Sequence, residues 1–149
     1  MDAHTLLIQQ SPMSPRNLSV LLVEDSRVLA ERLRETLLSV PGVQLAATVD
    51  SEADAVAALQ RHSVDVVLLD LHLRQGTGFG VLRAIPGSRA KDVVVIVLTN
   101  YDLAEYRRAA AALGARHFLD KLRDFDRLPT LLQQIGAGPG TPGAPESLN

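Results

Sequence analysis

Five short, largely apolar runs punctuate this chain, at residues 18–23, 43–49, 64–69, 93–98 and 115–119, and a segment of helical period comes after each of them. Runs of that length and continuity mark strands buried on both faces. A sheet buried on both faces needs a helix layer on each side. The alternation therefore predicts an α/β fold: a doubly wound, five-stranded parallel sheet with five helices.

The helical segments carry their own punctuation. The first, Arg27 to Val40, puts Val28, Leu29, Leu33, Leu37 and Val40 near one face and stops at Pro41-Gly42. The second starts at Ser51 with Asp54 three residues on, the spacing of a capping box, and carries Ala55, Val56, Ala58 and Leu59. A Gly-containing loop leads to a short third helix, Gly78 to Ile85, ended by Pro86-Gly87. The fourth, Leu103 to Leu113, is Ala-rich, has Asp102 as its expected cap and ends at Gly114. Asp126 is the expected cap of the last, which runs to Ile135 with Pro129 in its first turn. Residues 1–17 hold Ser11, Pro12, Ser14 and Pro15, and the stretch after Ile135 reads GAGPGTPGAPESLN. These ends predict a flexible N-terminal extension, 1–17, and a disordered Gly/Pro-rich tail, 137–149, around one domain at 18–136 with no output domain after it.

Composition removes several function classes. Without cysteine there is no disulfide framework, thiolate nucleophile or cysteine zinc site. A formal charge of −2 offers no footprint for direct nucleic-acid contact or an anionic membrane. The longest apolar run, Val93 to Leu98, is far short of the roughly 18 residues a membrane span needs. The opening MDAHTLLIQQ lacks the cationic start of a signal peptide, so a cytoplasmic location is expected.

The chemistry lies at the strand ends: Glu24 and Asp25 stand after the first strand, Asp70 after the third, Thr99 after the fourth and Lys121 after the fifth. A parallel sheet gathers such positions at one edge, where ligands of these folds bind. Three clustered carboxylates repel one another, and a hard divalent cation, Mg²⁺, relieves that repulsion. A carboxylate beside Mg²⁺ can attack a phosphoryl group to form an acyl phosphate, and Asp70 is best placed to do so. Lys121 and Thr99 offer a point charge and a hydroxyl to the phosphoryl oxygens. Singly, each residue reads as a helix cap, a solvated turn or a β-former. Together, in consistent order, they read as one phosphoryl-transfer site.

The motifs LLVED, VVLLDLHL with Gly78 eight residues beyond Asp70, VIVLTN and HFLDK resemble those of response-regulator receiver domains of two-component signalling, the CheY-like family, over about residues 18 to 136. The resemblance implies the flavodoxin-like strand order 2-1-3-4-5. It also implies a single-domain phosphoacceptor switch rather than an enzyme, with only self-catalysed phosphotransfer and dephosphorylation. Asp70 matches the phosphoacceptor. Asp25 matches a direct Mg²⁺ ligand, Glu24 one acting through water, and the backbone carbonyl of His72 the remaining protein ligand. Thr99 matches the switch hydroxyl, Lys121 the family's lysine and Phe118 the switch aromatic. The implied partners are a sensor histidine kinase or histidine phosphotransfer protein and a downstream protein target. The signalling surface is the face of the fourth helix, fifth strand and fifth helix (α4/β5/α5), which also allows a homodimer.

Departures from the pattern stand out. Leu122 replaces a proline that the family commonly carries after a cis bond, and without proline a cis bond costs about 2.5 to 4 kcal/mol, so a trans peptide is expected. Arg74 stands where proline is frequent, and a changed loop mobility is expected. Asn100 stands where a small residue is typical and bulky Tyr101 follows it; with His72 they are expected to tune the lifetime of the acyl phosphate by controlling water. Phe118 also reads as a core residue, His72 as a surface loop residue and Asp120 as a solvent-side charge. His4, His62 and His117 lack metal-ligand spacing.

Rival chemistries lack parts. A haloacid-dehalogenase-type phosphatase needs a second acid where His72 stands. A flavodoxin-like electron carrier needs a phosphate cradle where the chain reads EDSRVL. Neither G-x-G-x-x-G nor G-x-x-x-x-G-K-[ST] occurs. A degenerate receiver acting through protein contact alone remains open at this point.

Overall fold

The structure, a computed structural model, describes residues 17–90, 92–100 and 104–138. The elements run β1 (Leu18–Val23), α1 (Arg27–Leu38), β2 (Val43–Val49), α2 (Glu52–Arg61), β3 (Val66–Leu69), α3 (Gly78–Ala84), β4 (Val94–Thr99), α4 (Ala104–Ala112), β5 (His117–Asp120) and α5 (Leu128–Ala137). The strands form one parallel sheet in the order β2-β1-β3-β4-β5.

Alternation along each central strand divides the core in two. Leu18, Val20, Leu22, Val66, Leu68, Ile96 and Leu98 pack with Leu33 and Leu37 of α1 and Leu128 and Leu132 of α5. Leu21, Val23, Val67, Leu69, Val95 and Val97 pack with Ala55 and Leu59 of α2, Val81 and Leu82 of α3 and Ala110 of α4. A fully buried leucine contributes roughly 2 kcal/mol of transfer free energy, so both layers are needed to hold the sheet. The doubly wound reading is thereby met, helix by helix.

Helix starts depend on local hydrogen bonding. The hydroxyl of Ser26 accepts from Leu29 N at 3.3 Å, that of Ser51 from Asp54 N at 3.1 Å, and that of Thr77 from Gly80 N at 3.1 Å. Asp126 does not cap α5. It lies within a 3-10 turn, Phe125–Arg127, from which the chain enters α5 by backbone hydrogen bonding alone, with Arg127 at the cap position and no side-chain bond there. Such a turn satisfies the leading amides that a carboxylate would otherwise serve. α5 also continues past Ile135 to Ala137, beyond the expected boundary at 136. The expected cap Asp102, Tyr101 and most of both expected tails lie outside the described residues. Among the described residues no helix is long and apolar enough to cross a membrane.

Candidate functional site

The sheet's backbone ladder extends one residue beyond several strands and thereby aims the functional side chains. Glu24 N donates to Val49 O, Asp70 N to Val23 O and Lys121 N to Thr99 O, at 3.0, 3.1 and 3.1 Å. These three residues therefore leave their strand ends with the main chain tied to the neighbouring strand.

Glu24, Asp70 and Lys121 meet below the surface. Lys121 Nζ donates to Asp70 Oδ2 at 2.7 Å and to Glu24 Oε2 at 3.2 Å, and lies 3.0 Å from Glu24 Oε1. Their side chains are nearly excluded from solvent, at 4% exposure for Asp70, 1% for Glu24 and 9% for Lys121. Burial pushes the Glu24 carboxyl above its ordinary pKa, with the nearby charge of Asp70 adding to it, against the lowering pull of Ser26 N–H and Lys121. Burial also works against the Lys121 charge, but hydrogen bonds to Asp70 and Glu24 and their charges outweigh it and raise that pKa. The second oxygen of Asp70, Oδ1, accepts from His72 N at 3.0 Å.

Glu24, Asp25 and Asp70 each place a carboxylate oxygen within 4.8 Å of the others. Among the described residues, Glu24 Oε1 is the buried side-chain oxygen that accepts no hydrogen bond, although it touches the lysine charge. A buried anionic oxygen left with unused lone pairs beside two further carboxylates suits a hard, oxygen-seeking cation. The residues present fit Mg²⁺.

The remaining expected residues distribute around this core. Thr99 closes β4, is buried, and stands in register with Asp120. Phe118 on β5 is half-buried against the α4 side of the core, with the Arg107 guanidinium 5.1 Å from its ring centroid. The His72 imidazole is exposed and meets the Tyr106 ring edge-on at 5.3 Å, while its backbone bridges to Thr77. Asn100 is exposed.

Asp120 is more than a solvent-side charge. Its Oδ1 accepts from Leu122 N at 2.8 Å and Arg123 N at 2.9 Å, shaping the turn that carries Lys121. These bonds, with Arg123 the stronger contributor, lower its pKa. No cis peptide bond occurs among the described residues, so Lys121–Leu122 is trans as expected, and Leu122 uses the N–H that proline lacks.

Sequence reasoning missed the supporting contacts. Arg74 N donates to Asp25 Oδ2 at 2.7 Å and its guanidinium to Asp25 O at 2.7 Å, which ties the loop to the end of β1. Glu52 Oε1 accepts from Thr77 N at 2.9 Å, holding the same loop from α2. Ser26 N donates to Glu24 Oε2 at 3.0 Å, and here a signal existed, because a serine between an acidic pair and an apolar helix is an N-cap signature. The contacts of Arg74 and Glu52 leave no trace in local periodicity.

Known proteins resemble this chain across the same residues. A family model described as response regulator receiver domain matches residues 20–133. A protein-glutamate methylesterase/protein-glutamine glutaminase of Myxococcus xanthus is 34% identical over 102 residues, covering 68% of this chain but 29% of that protein. The signal receiver domain of a DNA-binding response regulator from Colwellia psychrerythraea superposes with a TM-score of 0.72 at 26% identity, covering 80% of this chain and 98% of that one. CheY in a CheX-CheY-BeF3-Mg complex from Borrelia burgdorferi shares the fold at a TM-score of 0.72 and 22% identity, over 80% and 90% of the two chains. The chain thus spans less than a third of the methylesterase's length.

Proposed function

The chain belongs to the family of response regulator receiver domains, and from that premise we propose that it is a phosphoryl-accepting switch of the cytoplasm with Asp70 as acceptor. The observation that carries this reading is the placement of Asp70: buried, hydrogen-bonded to Lys121 at 2.7 Å, and clustered with Glu24 and Asp25. A carboxylate oxygen of Asp70 attacks the phosphorus of a phosphohistidine on a sensor kinase or phosphotransfer protein. The new P–O bond forms as the P–N bond breaks, and the imidazole leaves.

Glu24, Asp25, Asp70 and the backbone carbonyl of His72 are the residues that would hold Mg²⁺, which neutralises charge on the transferring phosphoryl oxygens when bound. Lys121 passes from the carboxylate to a phosphoryl oxygen, and Thr99 donates its hydroxyl to another. Phe118 and the sparsely anchored α4, in which Ala110 is the buried residue, relay the change to the α4/β5/α5 face. That face is the surface read by a downstream protein or by a second copy of the chain. The chain acts on its own aspartate rather than turning over a separate substrate.

The test is incubation with Mg²⁺ and acetyl phosphate, with intact mass as the readout. One phosphoryl adduct is expected in the wild type and none in Asp70→Asn. An unmodified wild type, or an adduct undiminished in the variant, overturns the assignment and favours a receiver acting by contact alone.

A further inference from the structure

The two loops at the mouth of the site are tied by one pair of residues. Arg74 lies beyond β3 and Asp25 beyond β1, 49 residues earlier. The Arg74 N–H donates to Asp25 Oδ2 at 2.7 Å, its terminal guanidinium nitrogen donates to Asp25 O at 2.7 Å, and its Nε lies 3.7 Å from Oδ2. The carboxylate is therefore engaged by a neutral donor and lies at ion-pair distance from a full positive charge.

We propose that Arg74 is a positioning residue that clamps Asp25 across the mouth of the site and thereby lowers its affinity for a divalent cation. The inference rests on the metal-binding reading of Glu24, Asp25 and Asp70 above. Within the cluster, three carboxylates face the single buried ammonium of Lys121, so the pocket carries negative charge in excess. The guanidinium adds a second positive charge beside Asp25, at ion-pair distance from Oδ2, which repels an incoming cation, while the Arg74 backbone N–H occupies a lone pair of Oδ2. Entry of the cation weakens the ion pair between the guanidinium and Oδ2, while the Asp25 carbonyl and Glu52 still hold the loop. The clamp is moderate in strength, because the Arg74 side chain is 78% exposed and solvent screens it.

Two properties separate this role from a merely structural one. A charge effect at an exposed position fades as salt shortens the screening length, whereas a packing effect does not. A clamp that yields to the cation also changes the environment of the Arg74 Nε–H when the cation binds.

The experiment titrates the wild type and Arg74→Gln with MgCl₂ at low and at high ionic strength, reading heat and amide resonances, with Asp25→Asn as the metal-site control. Arg74→Gln keeps the backbone N–H and removes the charge. Mg²⁺ should bind it about threefold tighter at low ionic strength, within the range of exposed ion pairs. The two affinities should converge at high ionic strength, and the wild-type Arg74 Nε–H resonance should shift on Mg²⁺ addition. Equal or weaker binding by Arg74→Gln at low ionic strength overturns the clamp while leaving the metal reading intact, as does a tightening that persists at high ionic strength. Binding by neither protein, or undiminished binding by Asp25→Asn, overturns the metal reading itself and the clamp with it.

Discussion

Lys121 Nζ stands 2.7 Å from Asp70 Oδ2 and 3.0 Å from Glu24 Oε1, so one buried ammonium serves two buried carboxylates that have no other cation so close among the ion pairs described. Removing it strands both charges in a medium that solvates them poorly. Lys121→Met keeps the aliphatic stem and deletes the charge, and it should cost about 3 kcal/mol in the absence of metal. Urea unfolding reads this directly, and Mg²⁺ should restore part of the loss. An unchanged midpoint contradicts the account of the buried triad.

The same excess of negative charge links metal binding to folding. A ligand that binds only the folded state at roughly a hundredfold excess over its Kd stabilises by about 2.7 kcal/mol. Mg²⁺ should therefore raise the Tm of the wild type in a concentration-dependent way. Asp25→Asn, which removes one of the clustered carboxylates, should abolish most of the rise in a thermal melt.

Asp120 makes acid stability informative about the loop that carries Lys121. Its pKa is lowered from 3.8 by the N–H groups of Arg123 and Leu122. A depressed carboxyl pKa favours the folded state above 3.8 and loses that contribution as pH falls through the folded value. Asp120→Ala should be less stable than the wild type near neutrality, and the two urea midpoints should converge in strong acid. Curves that stay parallel down to that range remove Asp120 from the loop's support.

Legibility in the sequence depends on the range of the contacts. β1 and β2 agree with their apolar runs to the residue: β1 is buried between two helix layers, which makes such a run, whereas β2 is the half-exposed edge strand and its run is bounded by Pro41-Gly42 and Asp50. The cluster of Glu24, Asp25, Asp70 and Lys121 is legible because a parallel sheet puts every strand end on one edge. Strand β3 starts at Val66 rather than Val64, since Asp65 spends its carboxylate on Ser19 N and Val64 precedes the ladder. Arg74 escapes because its partner is 49 residues away and its loop has no period. Asp120 escapes because a pleat argument describes strands, and its work is done in the turn beyond one.

His117 on β5 predicts a slope of stability on the neutral side. Burial, and then the charge of Arg116, lower its pKa from 6.5. Below 6.5 the unfolded chain takes up a proton that the folded chain refuses, so stability falls as pH drops through 6.5 and levels off below the folded value. His117→Gln should flatten that segment of the stability profile. A segment equally steep in the variant assigns the slope to another group.

Gly78 tests how tightly the acceptor's own main chain is held. A Cβ built there comes within 2.5 Å of Asp70 O and 2.8 Å of Leu71 Cα, both of them backbone atoms rather than yielding side-chain ends. Neither neighbour can retreat freely, because Asp70 N is bonded to Val23 O and Gly78 N to Leu71 O. Gly78→Ala must therefore displace either the end of β3 or the start of α3, at a cost of about 2 kcal/mol by analogy with overpacked cores. A displacement of about 1 Å at a reacting group can cost up to ~10²-fold in rate. Phosphoryl uptake from acetyl phosphate should slow more than the stability loss alone explains, measured where the variant is still fully folded. Wild-type stability and wild-type uptake together mean that the strand end yields more easily than its hydrogen bonds imply.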